Sequence, residues 1–260
     1  MTSLESKGKA LKSYLSQGEK FSVVQAFQII KQVLFAVKEV HEAGFLHLDI
    51  QDGNVFIKGS LSEEDKLVSL VDFGAARPVC EDGLCPAIRD RALFSTIGFE
   101  SPEIVGRNDG TLRLGAESDL YSVGYLLLLM LTGKRYTQRE LDSANIGLYL
   151  SKRKLKKLNC PAHMADKVHQ IILKALKKTP EERYHSCEEM LADVSDLIHA
   201  LQPYKGDLSQ VVYDAFICYR HGETDSQAAK ILQQKLEHFH IPWMRKNKIK
   251  KIRRVFMDEG

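Results

Sequence analysis

Apolar residues recur at helical spacing soon after the start of the chain. Val23, Phe27, Ile30, Leu34 and Val37 fall three or four positions apart, and His41 continues the same stripe. Ser22 followed by Gln25 is a capping-box pattern that opens this helix, and Gly44 stands where such a helix ends. Two short strand-like runs follow at 55–58 and 67–71, and the polar stretch 59–66 between them predicts a hairpin. Residues 74–115 are rich in Gly, Pro, Arg and Ser and hold no sustained period. That predicts a long loop, of the kind that is usually functional. Helical spacing returns at 118–131, 165–177 and 186–201. The most apolar run, 120–131, is far shorter than the ~20 residues of a membrane span, so it predicts a helix buried inside a globule.

The pattern resets after residue 201. The segment 202–210, with Pro203 and Gly206, reads as a linker. Residues 211–219 are a nearly continuous apolar strand, 225–239 an amphipathic helix with Ala229, Leu232, Leu236 and Phe239 on one stripe, and 254–257 a second strand. Strand, helix, strand is the opening of a parallel α/β fold. Two strands and one helix cannot bury a core of their own, so a truncated module is expected over 211–260.

Composition changes this picture little. A net charge of +3 is small, but basic residues cluster at 152–157 and 245–254. These runs read either as patches for nucleic acid or membrane, or as solvated loops and helix faces. Neither is interleaved with aromatics for base stacking, so the expectation is no nucleic-acid and no membrane partner. The five cysteines are scattered and odd in number, and the C-x4-C pair Cys80 and Cys85 has no second pair or nearby histidine to complete a zinc set. Free thiols in a reducing cytoplasm are the better account. The first residues carry no apolar core of the kind a signal peptide needs.

Candidate chemistry sits in three short segments. His47, Leu48 and Asp49 begin the string HLDIQDGN, in which Asn54 follows Asp49 by five residues. Asp72, Phe73 and Gly74 come after the second strand of the hairpin, and Ser101, Pro102 and Glu103 close the long loop. In this order and spacing they resemble the signature set of eukaryotic-type (Hanks-type) serine/threonine protein kinases: catalytic loop, DFG and the GTxGYxAPE end of the activation segment. The resemblance continues in Ser118-Asp119-Leu120-Tyr121-Ser122-Val123-Gly124 and ends in Thr179-Pro180-Glu181-Glu182-Arg183, so it covers about residues 1–200. It implies a mainly α, protein-kinase-like C-terminal lobe over 1–201.

What the resemblance implies for single residues follows from phosphoryl transfer, which needs positioning and charge neutralisation more than covalent help. Asp49 would accept or orient the proton of a substrate hydroxyl. Asn54 and Asp72 would ligate magnesium, as hard oxygen donors for a hard cation. Glu103 and Arg183 would form a buried ion pair that fixes the activation segment to the helices. Asp119 would receive backbone N–H groups of the catalytic loop, and Thr96 matches the threonine that braces the catalytic Asp in serine/threonine kinases. ATP and Mg2+ are the implied cofactors and a protein the implied substrate.

The departures from the family pattern also carry expectations. Leu48 replaces the usual arginine and removes the cation that would pair with an activation-loop phosphate, so any activity should not depend on that phosphorylation. Gln51 stands where a lysine meets the γ-phosphate; it can donate a hydrogen bond but brings no charge. No Gly-rich loop, V-A-x-K lysine or partner glutamate precedes the 47–54 string, so the ATP clamp of the N-terminal lobe is missing and the 260 residues alone should be inactive or nearly so.

The string YDAFICYR at 213–220, with Ile241-Pro242 and the 254–259 segment, resembles the start of a bacterial-type Toll/interleukin-1 receptor (TIR) domain, a flavodoxin-like parallel α/β fold. The resemblance implies a homotypic TIR–TIR partner. Some TIR domains cleave NAD with a glutamate on a later helix; none of Glu223, Glu237 and Glu259 occupies that motif, so no NAD-cleaving residue is assigned. Two functions stay open: part of a serine/threonine kinase in a kinase–TIR architecture, or a non-catalytic adaptor.

Overall fold

The computed structural model describes residues 8–61, 67–85, 98–106, 114–143 and 146–201, and the backbone of 215–217 and 255–257. The chain divides into two compact units, Met1–Pro203 and Tyr204–Gly260.

In the first unit, β1 (Lys9–Ala10) leads directly into the short α1 (Leu11–Ser16). The long α2 (Val23–Glu42) begins with the capping box expected from its sequence. Gln25 N–H donates to Ser22 Oγ at 3.2 Å, and the Gln25 side-chain oxygen accepts from Ser22 N–H at 2.9 Å, so two otherwise orphaned donors are satisfied. Val23, Phe27, Ile30, Leu34 and Val37 are all buried, joined by Ala26, Ile29 and Val33 to make a broad apolar face. Gly44, just past the helix, has φ +81°, a backbone state that glycine adopts without strain.

After β2 (Phe45–Leu46) the expected hairpin forms: β3 (Val55–Lys58) pairs antiparallel with β4 (Leu67–Leu70), Val55 opposite Leu70 and Lys58 opposite Leu67. β1 adds to the other edge of β3. The 74–115 stretch is not wholly loop: it contains β5 (Arg77–Pro78), which pairs with β2, and the short α3 (Pro102–Gly106). Both are too short to show a period, and β5 depends on a partner more than thirty residues away. Sequence pattern therefore cannot find them.

The helix expected at 118–131 is α4 (Ala116–Thr132), and every residue from Ser118 to Leu131 is buried. A helix buried all round has no polar face, which is why its sequence looks like a short membrane segment. Among the described residues no helix is long and apolar enough to cross a membrane. Gly124 lets α4 approach its neighbours; a Cβ there would overlap the side chain of Ala175. Three short helices then follow that periodicity did not reveal: α5 (Gln138–Ser143), α6 (Ile146–Tyr149) and α7 (Lys152–Lys157). The basic run 152–157 is thus a solvated helix with one buried apolar residue, Leu155, capped by Ser151. α8 (Ala165–Ala175) and α9 (Cys187–Leu201) complete the unit, α9 packing on α2 and α8 on α4.

In the second unit, β6 (Ala215–Ile217) and β7 (Val255–Met257) form a parallel pair, Phe216 opposite Phe256. The expected helix at 225–239 and the 202–210 linker lie outside the described residues.

Candidate active site

The 47–54 loop leaves β2 and is fastened at its start by a buried carboxylate on α4. Asp119 accepts from His47 N–H through Oδ2 and from Leu48 N–H through Oδ1, each at 2.8 Å. Leu48 holds φ +60°, an uncommon state for a residue with a Cβ, and the two charge-assisted bonds on either side of that turn hold it there. Asp119 Oδ2 also meets His41 Nε2 at 2.8 Å. His41 was legible only as a member of an apolar stripe, and its partner lies 78 residues away.

Held in this way, the loop turns its polar side chains on one another. Asp49 Oδ1 accepts from Gln51 Nε2 at 2.7 Å, and Oδ2 accepts from Asn54 Nδ2 at 2.8 Å. The same amide nitrogen donates to the Asp49 carbonyl at 2.8 Å. With its nitrogen engaged, the Asn54 side chain could offer a cation only its Oδ1. Val71 N–H donates to the backbone carbonyl of Asn54 at 2.9 Å, which ties the 71–74 turn to this loop. Asp72 stands exposed on that turn with φ +67°, and Gly74 N–H donates to its Oδ1 at 3.2 Å. Asp49, Asn54 and Asp72 thus come together from two neighbouring turns. Two hard oxygen donors fit Mg2+, which usually takes one or two protein oxygens and completes its shell with water and phosphate.

The Phe73 ring, about half exposed, packs on His47 with centroids 4.9 Å apart. His47 is fully buried; Asp49 N–H donates to its Nδ1 at 3.3 Å, and its Nε2 lies toward the Val71 carbonyl without a hydrogen bond of ordinary geometry. Burial pushes its pKa down, against the opposing pull of the Asp119 and Asp49 carboxylates. Burial therefore favours the neutral imidazole.

On the far side of the loop Asp52 is buried and paired with Arg135, whose Nη2 lies 2.7 Å from both carboxylate oxygens. The Arg135 guanidinium also rests over the Phe99 ring. Nothing in the sequence marks this pair, because 83 residues separate its members.

Glu103 and Arg183 meet in the interior. Arg183 Nη1 and Nη2 donate to Glu103 Oε1 and Oε2 at 2.9 and 2.7 Å, Nε donates to the Lys177 carbonyl, and the remaining donors reach the Lys178 and Glu117 carbonyls. Ser118 Oγ adds a bond to Glu103 Oε1 at 2.8 Å. Burial pushes the Glu103 carboxyl up, but the Arg183 bonds and charge outweigh it and hold its pKa below the ordinary range. Close by, Gly98 has φ +96°, and a Cβ there would overlap the hydroxyl of Tyr125, which bonds the backbone of Tyr136. Thr96 lies outside the described residues.

Leu48 does not face solvent as a vacant arginine position would. It is buried in a small apolar cluster with Leu46, Ala75, Cys85, Ile104 and Leu114. Cys85 joins by an isolated bridge to Leu114, its N–H donating to the Leu114 carbonyl at 2.7 Å, and burial pushes its thiol pKa up. Leu48 makes a hydrophobic contact between the 47–54 loop and the segment that follows Gly74.

Known proteins resemble the chain over this same unit. The family described as protein kinase domain matches residues 3–194. The probable serine/threonine-protein kinase PknB of Lactococcus lactis is 26% identical over 188 residues, which is 72% of this chain and 28% of that protein. The serine/threonine-protein kinase PLK4 of Nematostella vectensis is 27% identical over 180 residues, 69% of this chain and 17% of that protein. The serine/threonine-protein kinase PknB of Mycolicibacterium smegmatis is 28% identical over 191 residues, 74% of this chain and 28% of that protein. The chain spans less than a third of the length of these relatives.

Proposed function

This chain belongs to the protein kinase family, and we propose that residues 1–201 are the catalytic-loop lobe of a serine/threonine kinase that transfers phosphate from ATP to protein hydroxyls. The observation that carries the reading is the Asp49 carboxylate, held by Gln51 and Asn54 on a loop that Asp119 fastens to α4. In that role Asp49 orients the substrate hydroxyl and takes its proton. Asn54 and Asp72 would hold Mg2+, which when bound neutralises charge on the phosphate oxygens. Buried His47 supports the loop, its Nδ1 accepting from Asp49 N–H. The Gly-rich loop and clamping lysine of the family are not among these 260 residues, so turnover requires a segment that supplies them.

The test is transfer of labelled phosphate from Mg2+-ATP to a generic protein substrate by the chain joined to such a segment. Asp49→Asn and Asp72→Ala should each lower turnover by at least about a hundredfold. Turnover unchanged in both variants would sink the assignment.

A non-catalytic adaptor is the second reading, and Gln51 favours it: its uncharged amide is bonded to Asp49, where a lysine would reach for phosphate. Under this reading Gln51→Lys restores no transfer, and Mg2+-ATP leaves the melting temperature unchanged. Residues 211–260 are proposed as the start of a TIR-type module with a homotypic partner. The YDAFICYR string supports this, as does the parallel pairing of β6 with β7.

A further inference from the structure

A second concave site lies at the opposite end of α4. Asp119 is in the first turn of that helix and Leu131 in its last, about 18 Å apart at the helical rise of 1.5 Å per residue. Around the last turn is a cavity of 670 Å3, walled by the end of α1 and the turn after it, by residues 130–133 and by α7. Its volume falls within the range of small-molecule sites.

The walls are of two kinds. Met130 and Leu131 are buried apolar side chains, and Leu158 adds a third, partly buried surface. Lys20, Arg153 and Lys157 stand exposed on the rim. Lys154 reaches inward, its Nζ donating to the Thr132 carbonyl at 3.3 Å, and burial lowers its pKa. Four cations thus face one carboxylate, Glu19, an excess of three positive charges.

Some lysines of this surface have acidic partners. On the same helix Lys152 pairs with Asp166; elsewhere Lys38 pairs with Glu42 and Glu188, Lys134 with Glu140 and Lys174 with Glu189. Among the described residues Lys20, Arg153 and Lys157 form no ion pair. Like charges gathered round an apolar floor repel one another, and an anion bound among them would relieve that repulsion.

We propose that this cavity binds a small organic anion, a phosphate group carried on an apolar body. The arginine fork and two lysines suit a multiply charged oxyanion, and Met130, Leu131 and Leu158 receive the apolar part. No residue of the 47–54 loop lines the cavity, and the proposal stands whether or not the chain transfers phosphate.

The test is calorimetric titration of the full chain in magnesium-free buffer with phenyl phosphate, inorganic phosphate and phenol as probes. Phenyl phosphate should bind saturably at one site, inorganic phosphate more weakly and phenol not at all at the same concentrations. The double variant R153Q/K157Q should lose about tenfold in affinity for phenyl phosphate at an unchanged melting temperature, while Asp72→Ala binds as the wild type does. Affinity unchanged in R153Q/K157Q, affinity lost in Asp72→Ala, or no saturable binding of phenyl phosphate would each overturn the proposal.

Discussion

Arg183 enters the interior as a charged side chain and Leu48 enters it as an uncharged one, although both pack against α3 and the chain beside it. Arg183 is surrounded by acceptors: two carboxylate oxygens of Glu103 and three backbone carbonyls take all of its donors. Leu48 packs in a cluster with Leu46, Ala75, Cys85, Ile104 and Leu114, none of which carries a charged acceptor. A buried charge is tolerable only where every donor is met, and costs several kcal/mol otherwise. A loop position that lacks such partners is stable only when the residue is apolar. One side of this segment is therefore fastened by geometry and the other by the hydrophobic effect. Neither fastening needs a phosphate.

The contrast can be broken most severely at Arg183. Arg183→Met leaves the half-buried Glu103 beside no cation and should cost about 3–5 kcal/mol in denaturant unfolding, with part of it recovered in R183M/E103Q. A loss below about 1 kcal/mol would show that the pair is solvated.

Next in size is Leu48→Arg, which restores the residue type of the family pattern and places a cation among apolar groups. It should destabilise the chain by about 2–3 kcal/mol, as expected for an unpaired buried charge that partly escapes to solvent. A neutral or stabilising effect would mean that acceptors lie within reach and that the apolar cluster is not what holds the loop.

The smallest effect is in pH dependence, and it separates the two fastenings without a drastic substitution. Glu103 has a depressed pKa, so its contribution is complete above the ordinary 4.5 and is lost as pH falls below that value. His47, whose neutral form burial favours, adds an earlier decline: the unfolded chain takes up a proton below about 6.5, and the folded one only at lower pH. The Leu48 cluster answers only at the alkaline end. Its Cys85 thiol is raised, so that contribution is present below the ordinary 9.0 and is lost as pH climbs past it. Melting temperatures of Glu103→Gln should fall less steeply below 4.5, where Glu140, Glu188 and Glu189 still contribute, and keep both other declines. A Glu103→Gln profile that matches the wild type would remove Glu103 from the account.

Much of this is legible in the sequence. Ser22 and Gln25 name the start of α2, and the polar stretch after Val55–Lys58 names the hairpin, because both rest on neighbours a few residues apart. The strings around Asp49, Asp72, Glu103, Asp119 and Arg183 could be read as one site because their order matches a family pattern. The Asp52–Arg135 pair could not, nor could the His41–Asp119 contact, since each joins residues about eighty positions apart with no local signature. β5 and helices α5–α7 were missed because short elements owe their existence to what they pack against.

The chain by itself determined its periodic helices, the identity of each polar group in the 47–54 loop and the absence of a cation at position 48. Those follow from local spacing and side-chain chemistry, which any single strand of sequence carries. Only the tertiary structure decided that Leu48 is covered rather than bare, that Asp49 is held by two amides, and that four cations meet around the end of α4. Each depends on burial and on partners brought from distant segments, and burial is a property of the folded surface rather than of any residue in it.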